Sequence, residues 1–74
     1  MRAALLDEDV KLDDIQSFEA FIKRYPDIAS EARLRWWIFH RSVNGLEQSG
    51  ALIKRGGRWF VVVPRMKIWL LQAA

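Results

Sequence analysis

Residues 51–64, ALIKRGGRWFVVVP, decide the fold. Two runs of strand-prone residues, Ala51 to Arg55 and Arg58 to Val63, flank Gly56-Gly57. A two-residue glycine link between such runs predicts a β-hairpin, because the primed turns that match strand twist need positive φ. Lys54, Arg55 and Arg58 surround the turn, so the hairpin carries a basic tip. Pro64 then suits the first position of a helix, where its missing donor costs nothing. Met66, Ile68, Trp69, Leu70 and Leu71 give that helix a wide apolar face.

Upstream of the hairpin, Ser30 predicts the cap of a helix over Glu31 to Ser42, with Glu31 near its positive end. Leu34, Trp37, Ile38 and Arg41 fall on one face of it, and Arg33, Trp36 and His40 on another. Gly45, following Asn44, reads as a C-terminal stop. Further back, Asp13 and Gln16 stand in capping-box spacing, and Ile15, Phe18, Phe21 and Ile22 mark an apolar helix face. These predict a helix over about 14–24, ended by Pro26, since a residue before proline is pushed out of the helical region. Val10 to Leu12 read as a short edge strand, and Met1 to Asp9 as a frayed acidic N-terminus. Two helices joined by a short turn form helix-turn-helix geometry. Followed by a basic hairpin and a C-terminal helix, they predict an α+β winged helix-turn-helix, a single domain over residues 10–74.

The chain has 74 residues, 51% apolar and 28% charged, a globular rather than a disordered balance. It has no cysteine, which removes disulfides, thiolate metal sites and cysteine nucleophiles together. His40 is alone, so His-pair metal sites are not expected either. The longest apolar runs, Trp59 to Val63 and Ile68 to Leu71, fall far short of the roughly 20 residues that span a bilayer. Asp7, Glu8 and Asp9 stand where a signal peptide needs an apolar stretch. A cytoplasmic protein without membrane association is the expectation. Asp7, Glu8, Asp9, Asp13 and Asp14 lack the glycine and terminal Glu of a calcium loop. No glycine-rich phosphate cradle, Ser-His-Asp set or spaced carboxylate pair can be argued. No enzyme, no cofactor, no metal site and no small-molecule substrate is therefore expected.

The net charge of +3 is unevenly spread. Residues 1–30 hold four basic and seven acidic residues, net −3, whereas residues 31–74 hold eight basic and two acidic, net +6. Such asymmetry points to an anionic partner for the C-terminal half, nucleic acid being the usual one, with a solvated basic face as the alternative. In a helix-turn-helix the second helix enters the major groove, whose base edges carry a distinct donor and acceptor code. Arg33 and Arg35 lie in its N-terminal half and can reach guanine edges or phosphates, or simply solvate a surface helix. Ser30, with the exposed backbone donors beside it, can bind a phosphate. Lys54, Arg55 and Arg58 suit phosphates or a narrow minor groove; alternatively they keep an edge hairpin from aggregating. Of the four tryptophans, Trp37, Trp59 and Trp69 read as core, whereas Trp36 lies off the Leu34 face. Trp36 then either covers the seam with the hairpin or presents a surface to a partner.

The segments LRWWIF at 34–39, NGLE at 44–47 and IKRGGRWFVV at 53–62, followed by a WLL helix, resemble the small winged-helix proteins of phages and mobile elements. That group includes excisionases, or recombination directionality factors, and the related AlpA and MerR-type DNA-binding domains. The resemblance covers about residues 10–72 and is most specific in the hairpin and the helix after it. It implies that the helix bearing Arg33, Arg35 and Trp36 lies in the major groove of double-stranded DNA. Lys54, Arg55 and Arg58 would then lie on the minor groove. It further implies cooperative binding with self-association along DNA, bending of the site, and an integrase (tyrosine recombinase) as partner in excision. The chain departs from the family at Val62-Val63-Pro64, where an acidic helix cap is common. The expectation there is exposed apolar surface that docks another protomer or the integrase. Two other readings stand beside excisionase: a transcriptional regulator of a phage or mobile element, and an interaction module or anti-repressor using Trp36 and Val61 to Val63.

Overall fold

A computed structural model describes residues 10–72. The expected frayed segment 1–9 lies outside the described residues, as do residues 73–74. A single 3-10 turn, Leu12–Asp14, leads into β1 (Ile15–Ser17) and α1 (Phe18–Arg24). Then follow α2 (Glu31–Phe39), the one-turn α3 (Leu46–Ser49), β2 (Leu52–Arg55), β3 (Arg58–Val62) and α4 (Val63–Gln72). The result is a small α+β fold of four α-helices and a three-stranded antiparallel sheet in the order β1-β3-β2.

The hairpin forms where the glycine pair places it. Gly56 and Gly57 have φ of 58° and 76°, both in the left-handed region that a primed turn needs. Arg55 pairs with Arg58, and Leu52 with Val61, in antiparallel register. The N-terminal strand lies later than its apolar content suggests. Val10 to Leu12 form no strand; Ile15, Gln16 and Ser17 instead pair with Val62, Val61 and Phe60. This shortens the first helix, whose cap is Ser17: its Oγ accepts from the Ala20 N–H at 3.1 Å. Gln16 does not close a capping box with Asp13; its side chain donates to the Asp13 carbonyl instead. The second helix starts at its expected residue, with Ser30 Oγ accepting from the Arg33 N–H at 3.2 Å. It ends at Phe39, three residues before the expected Ser42. Val63, not Pro64, opens the last helix.

Phe21, Leu34, Ile38, Leu46, Ala51, Val61, Met66 and Trp69 form the buried core, with Trp37 and Trp59 packed half-buried against it. Burying one large apolar side chain contributes about 1.5–3 kcal/mol, so these few residues carry most of the stability available to so short a chain. The segment Val61 to Val63, expected as a docking surface, belongs largely to the interior: Val61 and Val62 are 0% and 2% exposed and Val63 is half-buried. Val62 closes β3 and Val63 opens α4, so the fold covers most of this stretch.

The turn after α2 is held by Asn44. Its Nδ2 donates to the Trp37 carbonyl at 3.1 Å, and its Oδ1 accepts from the Leu46 N–H at 2.9 Å. Its own carbonyl accepts from Trp69 Nε1 at 2.9 Å, tying α4 to the same turn. Gly45, at φ 83°, is left-handed as expected of a stop, but it serves as the N-cap of α3, an element that no sequence pattern announces. Replacing Asn44 by Ala leaves the Trp37 carbonyl and the Leu46 N–H without these partners. The expected loss is about 1–3 kcal/mol. Urea unfolding at unchanged slope checks it, and an unaltered midpoint would deny Asn44 this role.

Candidate nucleic-acid interface

The side chains of α2 divide sharply between inside and outside. Leu34 and Ile38 point into the core. At about 100° per residue, Trp36 lies diametrically opposite the midpoint of those two, the most outward position on the helix. Ala32 and Phe39 lie within about 60° of Trp36 on one side, with Arg35 next to them at about 100°. Arg33 lies about 60° away on the other side. Trp36 is 60% exposed and Phe39 78%. The Trp36 ring rests 4.1 Å from His40, and Phe39 meets the same imidazole edge-on at 5.0 Å. Trp36 therefore does not cover the seam with the hairpin.

The arginines of α2 are held differently. Arg35 donates from Nε and Nη2 to Glu31 Oε2 at 3.1 and 2.9 Å, and its guanidinium lies 5.2 Å from the Phe18 ring centre. The Phe18 contact draws it toward α1. Arg33 has no side-chain partner among the described residues. Ser30 spends its hydroxyl oxygen on the helix cap.

The hairpin stands across a cleft of about 400 Å³ from α2. Arg35, Phe39 and Arg41 line one side of it, and Arg58 and Trp59 the other, with Phe18 and Glu19 contributed by α1. The Trp59 ring is approached by Arg41 Cζ at 5.0 Å and by Lys54 Nζ at 5.4 Å, cation–π contacts that fix where these charges sit. Arg55 and Arg58 face each other beside the turn, exposed, with no side-chain partner among the described residues. Three arginines, Arg35, Arg41 and Arg58, thus share one cleft, and Lys54 and Arg55 extend the basic surface to the hairpin tip. Such an arrangement can hold a polyanion. Arg58 offers a whole guanidinium fork to a phosphate, whereas Arg35 and Arg41 offer the donors left over by Glu31 and by the Ile38 carbonyl and Glu47. Among the described residues, no group of three or more His, Asp or Glu side chains is placed to hold a metal ion.

Sequence reasoning misses two members of this surface. Helical periodicity puts Arg41 on the core-facing side of the second helix, but the helix ends before it. Its Nη1 donates to the Ile38 carbonyl at 2.8 Å, its Nε lies 3.8 Å from Glu47 Oε1, and it turns over Trp59 toward the cleft. Its position follows from the hairpin, which periodicity does not register. Phe39 could have been found, since it follows Trp36 at a helical spacing of three. No family model, curated protein or solved structure matches the chain.

The Glu31–Arg35 pair lies on the surface, both side chains about two-thirds exposed (64% and 68%). Glu31→Gln should therefore cost the fold less than about 0.5 kcal/mol. Thermal unfolding checks this; a loss above about 1 kcal/mol would mean the pair also anchors α2 to α1 through Phe18.

Proposed function

We propose that this chain is a sequence-specific DNA-binding protein with a winged-helix fold, acting as an excisionase-type architectural factor. Here α1 and α2 are the helix-turn-helix, α2 is the recognition helix, and the β2–β3 hairpin is the wing. The observation that carries the reading is the shared cleft, to which the recognition helix, the turn after it and the hairpin present Arg35, Arg41 and Arg58 respectively. With α2 in the major groove, one DNA strand's phosphates run along that cleft. The hairpin tip, with Lys54 and Arg55, then reaches across the backbone toward the minor groove. Arg35, drawn to the cleft side, serves phosphates. Arg33, uncommitted and near the outward line, is the arginine placed for base edges.

The excisionase role rests on the sequence resemblance and on how the cations are distributed. A narrow helix and a separate basic tip engage both sides of a backbone, which favours a bent site. Bending costs about 1–6 kcal/mol, offset by phosphate contacts and by neighbouring protomers along the DNA. An integrase is then the partner whose excisive complex the bend assembles. Regulation of a promoter is the second reading. An interaction module is a third, favoured by the exposure of Trp36 and Phe39 but no longer supported by Val61 to Val63.

A band-shift titration on DNA flanking the gene, with any adjacent integrase attachment site, at two salt concentrations separates these. Stepwise cooperative shifts are expected, a single shift at a promoter marks the regulator, and no shift from folded protein excludes DNA binding. On the site so found, Arg58→Ala should weaken binding to every sequence alike and flatten the log–log salt slope by about 0.9 for each phosphate no longer neutralised. Arg33→Ala should instead cost about 1–3 kcal/mol of discrimination between the site and a mismatched one. Equal losses on all sequences from both variants would deny Arg33 a role in base readout.

A further inference from the structure

The outward ridge of α2 is apolar. Ala32, Trp36 and Phe39 occupy the sector farthest from the core, where a helix lying in a groove makes its deepest contacts. Arg33 borders this ridge on one side and Arg35 on the other. A surface made mostly of ring carbon and a methyl group does not match the polar code of guanine or cytosine. The apolar feature on the floor of the major groove is the thymine C5 methyl group. Methyl-bearing base edges between two rows of phosphates complement this helix, which is apolar in the middle and carries an arginine on each flank, Arg33 unpaired and Arg35 shared with Glu31.

Resting on the DNA-binding reading above, we infer that Trp36 and Phe39, with Ala32 beside them, select duplex sites by packing against thymine methyl groups. The target is accordingly a site with thymines under the outward ridge of α2, and the ring pair is a specificity determinant. The unpaired charge of Arg33 favours this occupant over an apolar surface of another protein, which would leave Arg33 facing it without a phosphate, whereas Arg35 already has Glu31. His40 packs against both rings at the C-terminal end of the helix.

The methyl group can be removed from DNA without altering base pairing. The flanking fragment is made once with thymidine and once with deoxyuridine throughout, and titrated with the wild-type chain and with Trp36→Ala and Phe39→Ala. Each buried methyl is worth about fourfold in affinity, so two in contact should favour the thymidine fragment by about fifteenfold. Both variants alter exposed side chains, and circular dichroism confirms that each is folded. Each variant should lose part of the preference, and the double variant should bind both fragments about equally. A wild-type chain that binds both fragments equally overturns the inference while leaving DNA binding intact. A preference that persists in the double variant also overturns it, since uracil then acts through duplex shape. Self-association that depends on Trp36 while the two fragments bind equally assigns the ridge to a protein contact instead. Binding to neither fragment refutes the DNA-binding reading itself, a result distinct from the others.

Discussion

The backbone carbonyl of Asn44 and the indole of Trp69 set the geometry on which the rest depends. Their hydrogen bond at 2.9 Å fixes α4 against the turn that follows α2. Trp69 also meets Trp37 edge-on, ring centres 5.3 Å apart, so the same indole contacts α2 directly. The Asn44 side chain closes the loop by bonding to the Trp37 carbonyl and the Leu46 N–H. A helix of nine residues, apolar on two sides, has no strong preference of its own for which side to bury. The Trp37–Trp69–Asn44 node resolves that choice, turning Leu34 and Ile38 inward and leaving Trp36 outward.

A second constraint positions the hairpin. Pairing of β3 with both β1 and β2 places Trp59 at the edge of the core, half-buried. Its ring gathers Arg41 from the turn after α2 and Lys54 from the neighbouring strand. An aromatic side chain that packs on the core thereby becomes the platform for two surface charges, Arg41 and Lys54.

How much of this is legible in the sequence depends on the range of the interactions. The hairpin follows from the local demands of Gly56-Gly57, and the start of α2 from the Ser30 cap, so both are readable. The spacing of Ile15, Phe18, Phe21 and Ile22 suits one helix face, yet Ile15 is spent on β1. Its partner Val62 lies far along the chain, and no local signal announces so short a strand. The single turn α3 is equally hidden, because LEQS has no pattern of its own and is organised by Asn44 and Gly45. The valine run before Pro64 looks like spare apolar surface only while the strand covering it is read as helix. The basic residues are visible as a set; that Arg35, Arg41 and Arg58 share one cleft requires the sheet.

Arg55 and Arg58 stand directly opposite each other in the antiparallel register. Like charges so paired repel, and the glycine turn holds them together against that repulsion. Mobile ions screen such repulsion, just as they screen attraction to a polyanion. Rising ionic strength thus eases repulsion at the hairpin tip, and under the proposed DNA binding it would weaken attraction to phosphate, so the tip's conformational stability and its adhesion would respond to salt with opposite signs. Under the proposed DNA binding, a phosphate seated at the tip would do for the arginine pair what dissolved salt does.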